Sequence, residues 1–319
     1  MSPARTLLRA LVLLGVGIGL TVPAVAAQAE PSASELTQQI NKASTELEKI
    51  VEAYNKAGED LKTTKAAAQA VATKLGPLEQ ELAVADAEVG RMAAVAYRSG
   101  RLANANALLE GGTGSVVDRL GVLDKLARDR QAQVAGFTAT QQRYLDEKSK
   151  LDIAQAKQTA QVNELATGKK KIESDLAKLY EMREKAYGSA TTSSGSYTGT
   201  IPSVSGQAGV AVRFAYNAIG TPYVWAAEGP NGYDCSGLTL AAWRAAGKTL
   251  PHNAAMQWDK VAHIGRGSLQ PGDLVFYSGL GHVGIYVGSG KVIHAPQAGE
   301  SVKLSSVDMM TPYGYGRVR

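Results

Sequence analysis

The sequence predicts an α+β domain, a helix on an antiparallel sheet, preceded by a long α-helical antiparallel coiled coil. Three observations predict it. A heptad seam runs without a slip from Leu36 to Ala96. A second helical stretch follows it after a glycine-rich interruption. In the last third a loop rich in glycine and proline leads into a short apolar helix, and then into segments of strict apolar and polar alternation.

In chain order, residues 1–29 read as a secretory signal peptide. Arg5 and Arg9 precede the apolar run LVLLGVGIGL, and small residues follow it. The run is too short for a permanent bilayer anchor, and with no cysteine near the cleavage region a lipoprotein anchor is excluded. The expected location is therefore outside the cell, secreted or associated with the cell wall. Removing two arginines and no acids lowers the formal charge from +5 to +3. That balance suits loose attraction to anionic wall polymers and argues against a nucleic-acid partner.

Residues 30–187 form the expected coiled-coil domain. In the first helix the seam includes Leu36, Ile40, Leu47, Tyr54, Leu61, Leu75, Leu82 and Val89, and only Thr64 on it is polar. Such a run spans roughly 90 Å. It passes through Gly76-Pro77 in phase, which predicts a kink and no domain boundary. A turn-round region with a short amphipathic piece near 102–109 precedes the second helix, from about 115 to 186. The polar residues Arg130, Gln141, Lys148 and Lys169 interrupt its seam. Periodicity leaves spacer and partner-binding arm equally open. Residues 188–206, GSATTSSGSYTGTIPSVSG, read as a flexible linker whose ends would lie about 25 Å apart as a random coil.

The catalytic domain is expected over 207–319, and its centre is Cys235, the single cysteine of the chain. It lies in GTPYVWAAEGPNGYDCSGL at 220–238, ahead of the helical run LTLAAWRAA. Asp234 is placed as N-cap and Cys235 as the first helical residue, where free backbone N–H groups and the helix dipole favour a thiolate. An exported chain with one cysteine has no internal disulfide to make, so reactivity is the better reading.

Two histidines lie downstream in GHVGIYVGSGKVIHAP, residues 281–296. Alternation puts His282, Gly284 and Tyr286 on one strand face and Val283, Ile285 and Val287 on the other. A two-residue turn at Ser289-Gly290 would mix the faces of the return strand. A three-residue loop, Gly288 to Gly290, pairs Ile285 with Ile293 and Gly284 with His294, so both histidines share one face. His294 then reaches His282 across Gly284.

The order PYVWA, DCSGL, PGDLVFY at 271–277 and GHVGIYVGSGKVIHA resembles the NlpC-type cysteine peptidases, papain-like enzymes that cut the peptide stems of bacterial cell wall. The resemblance covers the last third of the chain. It implies that Cys235 is the nucleophile, His282 the general base and His294 the residue that orients it. It places Tyr223 at the oxyanion position, and Asp234 and Ser236 along the substrate groove. Two departures stand out: Ala226 and Ala227 replace a glycine pair, and His252 stands where arginine is more usual, read as groove-lining or surface. His263 is read as solvated. No metal or cofactor is called for, since four histidines lack an HExxH-type spacing.

By the same resemblance the substrate is a peptidoglycan stem peptide and the bond the D-glutamyl to diaminopimelate link. The arrangement is similar to division-associated hydrolases of Gram-positive and actinobacterial type, which implies restraint by the coiled coil and release by a membrane division complex of the FtsEX kind. Two other classes remain: a Cys-His muramoyl amidase or acyl-transfer enzyme, and a catalytically silent wall-binding protein.

Overall fold

A computed structural model of the chain describes residues 32–99, 116–192 and 195–319. The expected signal peptide and turn-round piece lie outside the described residues. No helix among the described residues is long and apolar enough to cross a membrane.

Two long helices come first, α1 (Ala33–Ser99) and α2 (Val116–Tyr187), and α1 continues through Pro77. They run antiparallel. Tyr187 bonds to Thr37 near one end, while Tyr144 and Arg143 reach Glu79 and Glu81 farther along. The heptad seam is the contact line, with Ile40, Leu47, Leu61 and Leu75 of α1 buried. Past Leu75 the seam residues Leu78, Leu82, Ala85 and Val89 are only half-buried. A third surface joins the pair near one end, where Ile40, Leu47 and Val51 enter a core shared with it.

That third surface is the remaining domain. It contains α3 (Gly206–Asn217), α4 (Cys235–Ala245) and α5 (Ala254–Lys260). Six strands form one antiparallel sheet: β1 (Ala262–Ile264), β2 (Leu274–Tyr277), β3 (His282–Gly288), β4 (Lys291–His294), β5 (Lys303–Ser306) and β6 (Pro312–Arg317), in the order β1-β6-β2-β3-β4-β5. The carboxy-terminal strand therefore lies inside the sheet, between β1 and β2, and does not close it. Leu274, Phe276, Val283, Ile285 and Ile293 share the main core with Val212 of α3 and Leu238 of α4. Val275, Tyr277, Val292 and Val307 form a second cluster with Tyr286.

The described residues on either side of 193–194 in the expected linker are tied to the rest of the chain. Arg183 of α2 donates to the carbonyls of Ala190 and Gly299, Thr192 N–H donates to Gly299, and Tyr197 packs against Tyr216.

Ile285 faces Ile293, as the segregation of apolar residues requires. The turn differs from the expected one. Gly288 pairs with Lys291, leaving Ser289 and Gly290 as a two-residue turn with positive φ at both, and a bulge between Tyr286 and Gly288 supplies the extra residue. Bulge plus two-residue turn reaches the same register as a three-residue loop.

Gly284 is required by the approach of the two histidine-bearing strands. A Cβ there would lie 3.1 Å from Cβ of His294 and 3.1 Å from the Ile293 carbonyl. Gly284→Val is expected to destabilise the domain by about 1–3 kcal/mol, read as a lowered Tm in thermal unfolding.

Candidate active site

The first turn of α4 carries Cys235, the nucleophile expected from the sequence. Asp234 is the N-cap and accepts from Gly237 N–H at 2.7 Å, so Cys235 occupies the first helical position, as its sequence predicts. The loop before it folds tightly over this turn. Asp234 N–H donates to the Ala227 carbonyl, and Ala226 sits at φ 52°, the left-handed region that glycine adopts without cost. The alanine at this position keeps the glycine-like turn.

The structure brings both predicted histidines together. His282 Nε2 and His294 Nδ1 are 2.8 Å apart, and His294 Nε2 lies 2.9 Å from Ser305 Oγ of β5. Burial, then the neighbouring His282, holds the His294 ring well below the usual histidine range. It is therefore neutral and has a single N–H to donate. Ser305 was not singled out in the sequence; it enters because β5 pairs with β4.

The other ring nitrogen of His282 faces α1. Its Nδ1 is hydrogen-bonded to the Glu48 carboxylate, in a very short contact. One helical turn on, Glu52 fills the space beside the nucleophile. Its Oε1 accepts from Ser236 Oγ at 2.6 Å and lies 3.5 Å from Cys235 Sγ, while Oε2 accepts from Ala254 N–H at 2.6 Å and from Asn253 Nδ2 at 2.9 Å. Asn55, a turn farther, donates to Asp234 at 2.9 Å, and Tyr54 meets Trp225 edge-on. Gln257 ties the site's two helices together, donating to the Ser236 carbonyl and accepting from Thr239.

Glu48, Glu52, Asn55 and Asn253 escaped the sequence reading. Positions 48, 52 and 55 recur at helical spacing, but charged residues beside a heptad seam are ordinary in coiled coils, so spacing held no distinguishing signal. His252 bonds through Nε2 to both oxygens of Asp234, at 2.8 and 2.9 Å. Burial pulls its pKa down, but the Asp234 hydrogen bond and charge outweigh this and hold it above the usual value. His263 is exposed and stacks on Trp258.

The electrostatics reverse one expectation. Capping and dipole predict a lowered thiol pKa, yet burial, then the Glu52, Glu48 and Asp234 carboxylates, push the Cys235 thiol well above its ordinary value. The helix start is unchanged; three carboxylates and the loss of water outweigh it. Burial and the same negative field also raise the Tyr223 hydroxyl, keeping it a neutral donor. Glu52 is pushed up to about 7, by burial first and then by Asp234. Among the described residues, Glu48, Cys235 and His282 are grouped closely enough to hold a metal ion.

The Glu52 shift links docking of α1 to pH. Docked, Glu52 keeps its proton up to about pH 7; released, it loses it near 4.5. Docking is thus most favourable below pH 4.5 and weakens as pH rises through 7. Iodoacetamide should react with Cys235 faster in Glu52→Ala than in the parent. That rate ratio, in which the thiol's own ionisation cancels, should fall by about tenfold or more between pH 5.5 and 8. A ratio flat in pH would remove Glu52 from the linkage.

Comparison with known proteins bears on the same third of the chain. Residues 220–316 match the model of the NlpC/P60 family. A probable endopeptidase of Corynebacterium glutamicum is 45% identical over 100 residues, which cover 31% of this chain and 48% of that protein. A probable endopeptidase of Mycobacterium tuberculosis is 40% identical over 106 residues, covering 32% and 26%. The chain thus spans half or less of the length of these relatives. Among solved structures, the NlpC/p60 domain of the peptidoglycan hydrolase SagA is 37% identical and covers 35% of this chain and 98% of that one, with a TM-score of 0.33. With the motifs around Cys235, His282 and His294 inside the matched segment, residues 220–316 are an NlpC/P60 domain.

Proposed function

We propose that this chain is an exported peptidoglycan endopeptidase, secreted by a signal peptide at 1–29 and held closed by its own helical hairpin. The observation that carries the reading is the line Cys235, His282, His294 inside an NlpC/P60 domain, with carboxylates of α1 seated on its first two members. In this scheme residues 30–187 are the restraining arm, 188–206 the connection and 207–319 the peptidase.

The chemistry follows from the hydrogen-bond line. Neutral His294 donates Nε2–H to Ser305, which leaves its Nδ1 to accept from His282 Nε2–H. The lone pair of His282 is then on Nδ1, toward the cysteine. With the arm away, His282 takes the Cys235 proton, the thiolate attacks the amide carbon, and the proton passes to the leaving amine. The Cys235 backbone N–H and the Tyr223 hydroxyl stabilise the oxyanion. Asp234 fixes the turn, and Ser236 lines the groove. The finer assignment is cleavage of the D-glutamyl to diaminopimelate bond.

Restraint has two parts. Glu48 engages the nitrogen that must accept the thiol proton, and Glu52 occupies the groove at the sulfur. A closed state favoured by about 3 kcal/mol leaves under about one per cent open. The far end of the hairpin supports a partner that moves it: Val95, Tyr97, Leu120 and Val122 are exposed there. A membrane division complex of the FtsEX kind is the proposed partner.

Hydrolysis of defined muropeptides, followed by mass spectrometry of the products, tests both parts. Cys235→Ala should be inactive. His282→Ala should lose about a thousandfold or more, and His294→Ala less. Glu48→Ala/Glu52→Ala should exceed the parent by about tenfold or more. Equal rates for that variant and the parent would reduce the arm to a spacer, and release of intact stem peptides from muramic acid would make the enzyme an amidase.

A further inference from the structure

The groups that close the site also form a set of metal ligands. One carboxylate oxygen of Glu48, Sγ of Cys235 and a ring nitrogen of His282 all lie within 4.8 Å of one another. Carboxylate, thiolate and imidazole are the donors zinc accepts, at about 2.0–2.2, 2.3 and 2.0–2.1 Å, so donor atoms around a tetrahedral ion sit roughly 3.5 Å apart. The Glu48 to His282 contact must open to take the ion, and the other separations, all within 4.8 Å, are within side-chain adjustment of that spacing.

Two further features favour an ion here. The ring of His282 is oriented from behind, Nε2 bonded to His294 and His294 to Ser305, which is how a liganding imidazole is held with its other nitrogen presented. The closed site also concentrates negative charge. Glu48, Glu52 and Asp234 surround the thiol, and among these contacts only His252 and His282 can carry a compensating proton.

We propose that the docked arm and the catalytic pair together bind one Zn²⁺ through Glu48, Cys235 and His282, so that zinc locks the peptidase shut. This rests on the reading that α1 closes the site. On binding, the Cys235 thiol proton and any proton shared by Glu48 and His282 leave to solvent. The ion takes their place, with water as fourth ligand. Magnesium and calcium, which prefer oxygen donors, do not substitute. Once the arm leaves, only Cys235 and His282 remain, one ligand short of the three that hold zinc at open sites. Zinc and closure therefore stabilise each other.

The test titrates the full chain with Co²⁺, a spectroscopic stand-in for zinc. One equivalent should produce a thiolate-to-cobalt charge-transfer band, displaced by Zn²⁺ and absent in Cys235→Ala. Glu48→Ala should bind at least about tenfold more weakly, whereas His263→Ala, an exposed histidine outside the site, should bind like the parent. Zn²⁺ should slow alkylation of Cys235 by iodoacetamide in the parent, and EDTA should restore it. Absence of the band, or equal affinity in parent and Glu48→Ala, overturns the site. Alkylation without metal separates the two readings. If Glu48→Ala reacts no faster than the parent, the arm does not close the site; if it reacts faster but no band forms, closure stands and the metal site falls.

Discussion

The docking of α1 on the other domain turns on two carboxylates one helical turn apart, Glu52 buried and Glu48 half-buried, set against Ser236, Cys235 and His282. A buried carboxylate is tolerated only when each oxygen finds donors. Glu52 finds them in Ser236, Asn253 and the Ala254 N–H, while Glu48 and His282 Nδ1 share one hydrogen bond. On our proposal the arm is held in part by Ser236 and His282, groups of the site itself, so docking and activity exclude each other.

The same contact limits its own strength. Glu48, Glu52 and Asp234 share one buried pocket, and repulsion together with lost hydration forces Glu52 to hold a proton up to about pH 7. Burial against Val51 and the Tyr54 to Trp225 contact offset this cost. The outcome is a lid whose packing is sound and whose charge balance is poor. Such a lid is sensitive to protons and, on our proposal, to a divalent cation, because both supply the positive charge that the pocket lacks.

The hairpin geometry turns this local balance into a lever. Arg183 fixes the near end of α2 to the Gly299 carbonyl, close to where the connection to the domain begins. Toward the opposite end, described apolar side chains such as Tyr97 and Val122 are exposed. Force or binding at that end acts over most of the length of α1 before reaching Glu52.

Much of the peptidase was legible in the residues alone, wherever a few neighbours decide the outcome. Asp234 caps a helix that starts at Cys235 because the cap bond spans three residues. The face shared by His282 and His294 follows from apolar segregation, and the register held even though the turn is shorter and a bulge makes up the difference. The antiparallel hairpin was likewise visible, since a heptad seam is periodic. What escaped lies far apart in sequence. Glu52 meets Ser236 across 184 positions and Glu48 meets His282 across 234, and no local pattern marks either glutamate. The thiol shows the consequence most clearly: its own helix start favours ionisation, but its pKa sums every charge and every water removed, and most of those arrive with α1. Capping and alternation are short-range and can be read from adjacent residues, whereas burial and electrostatic fields belong to the assembled molecule.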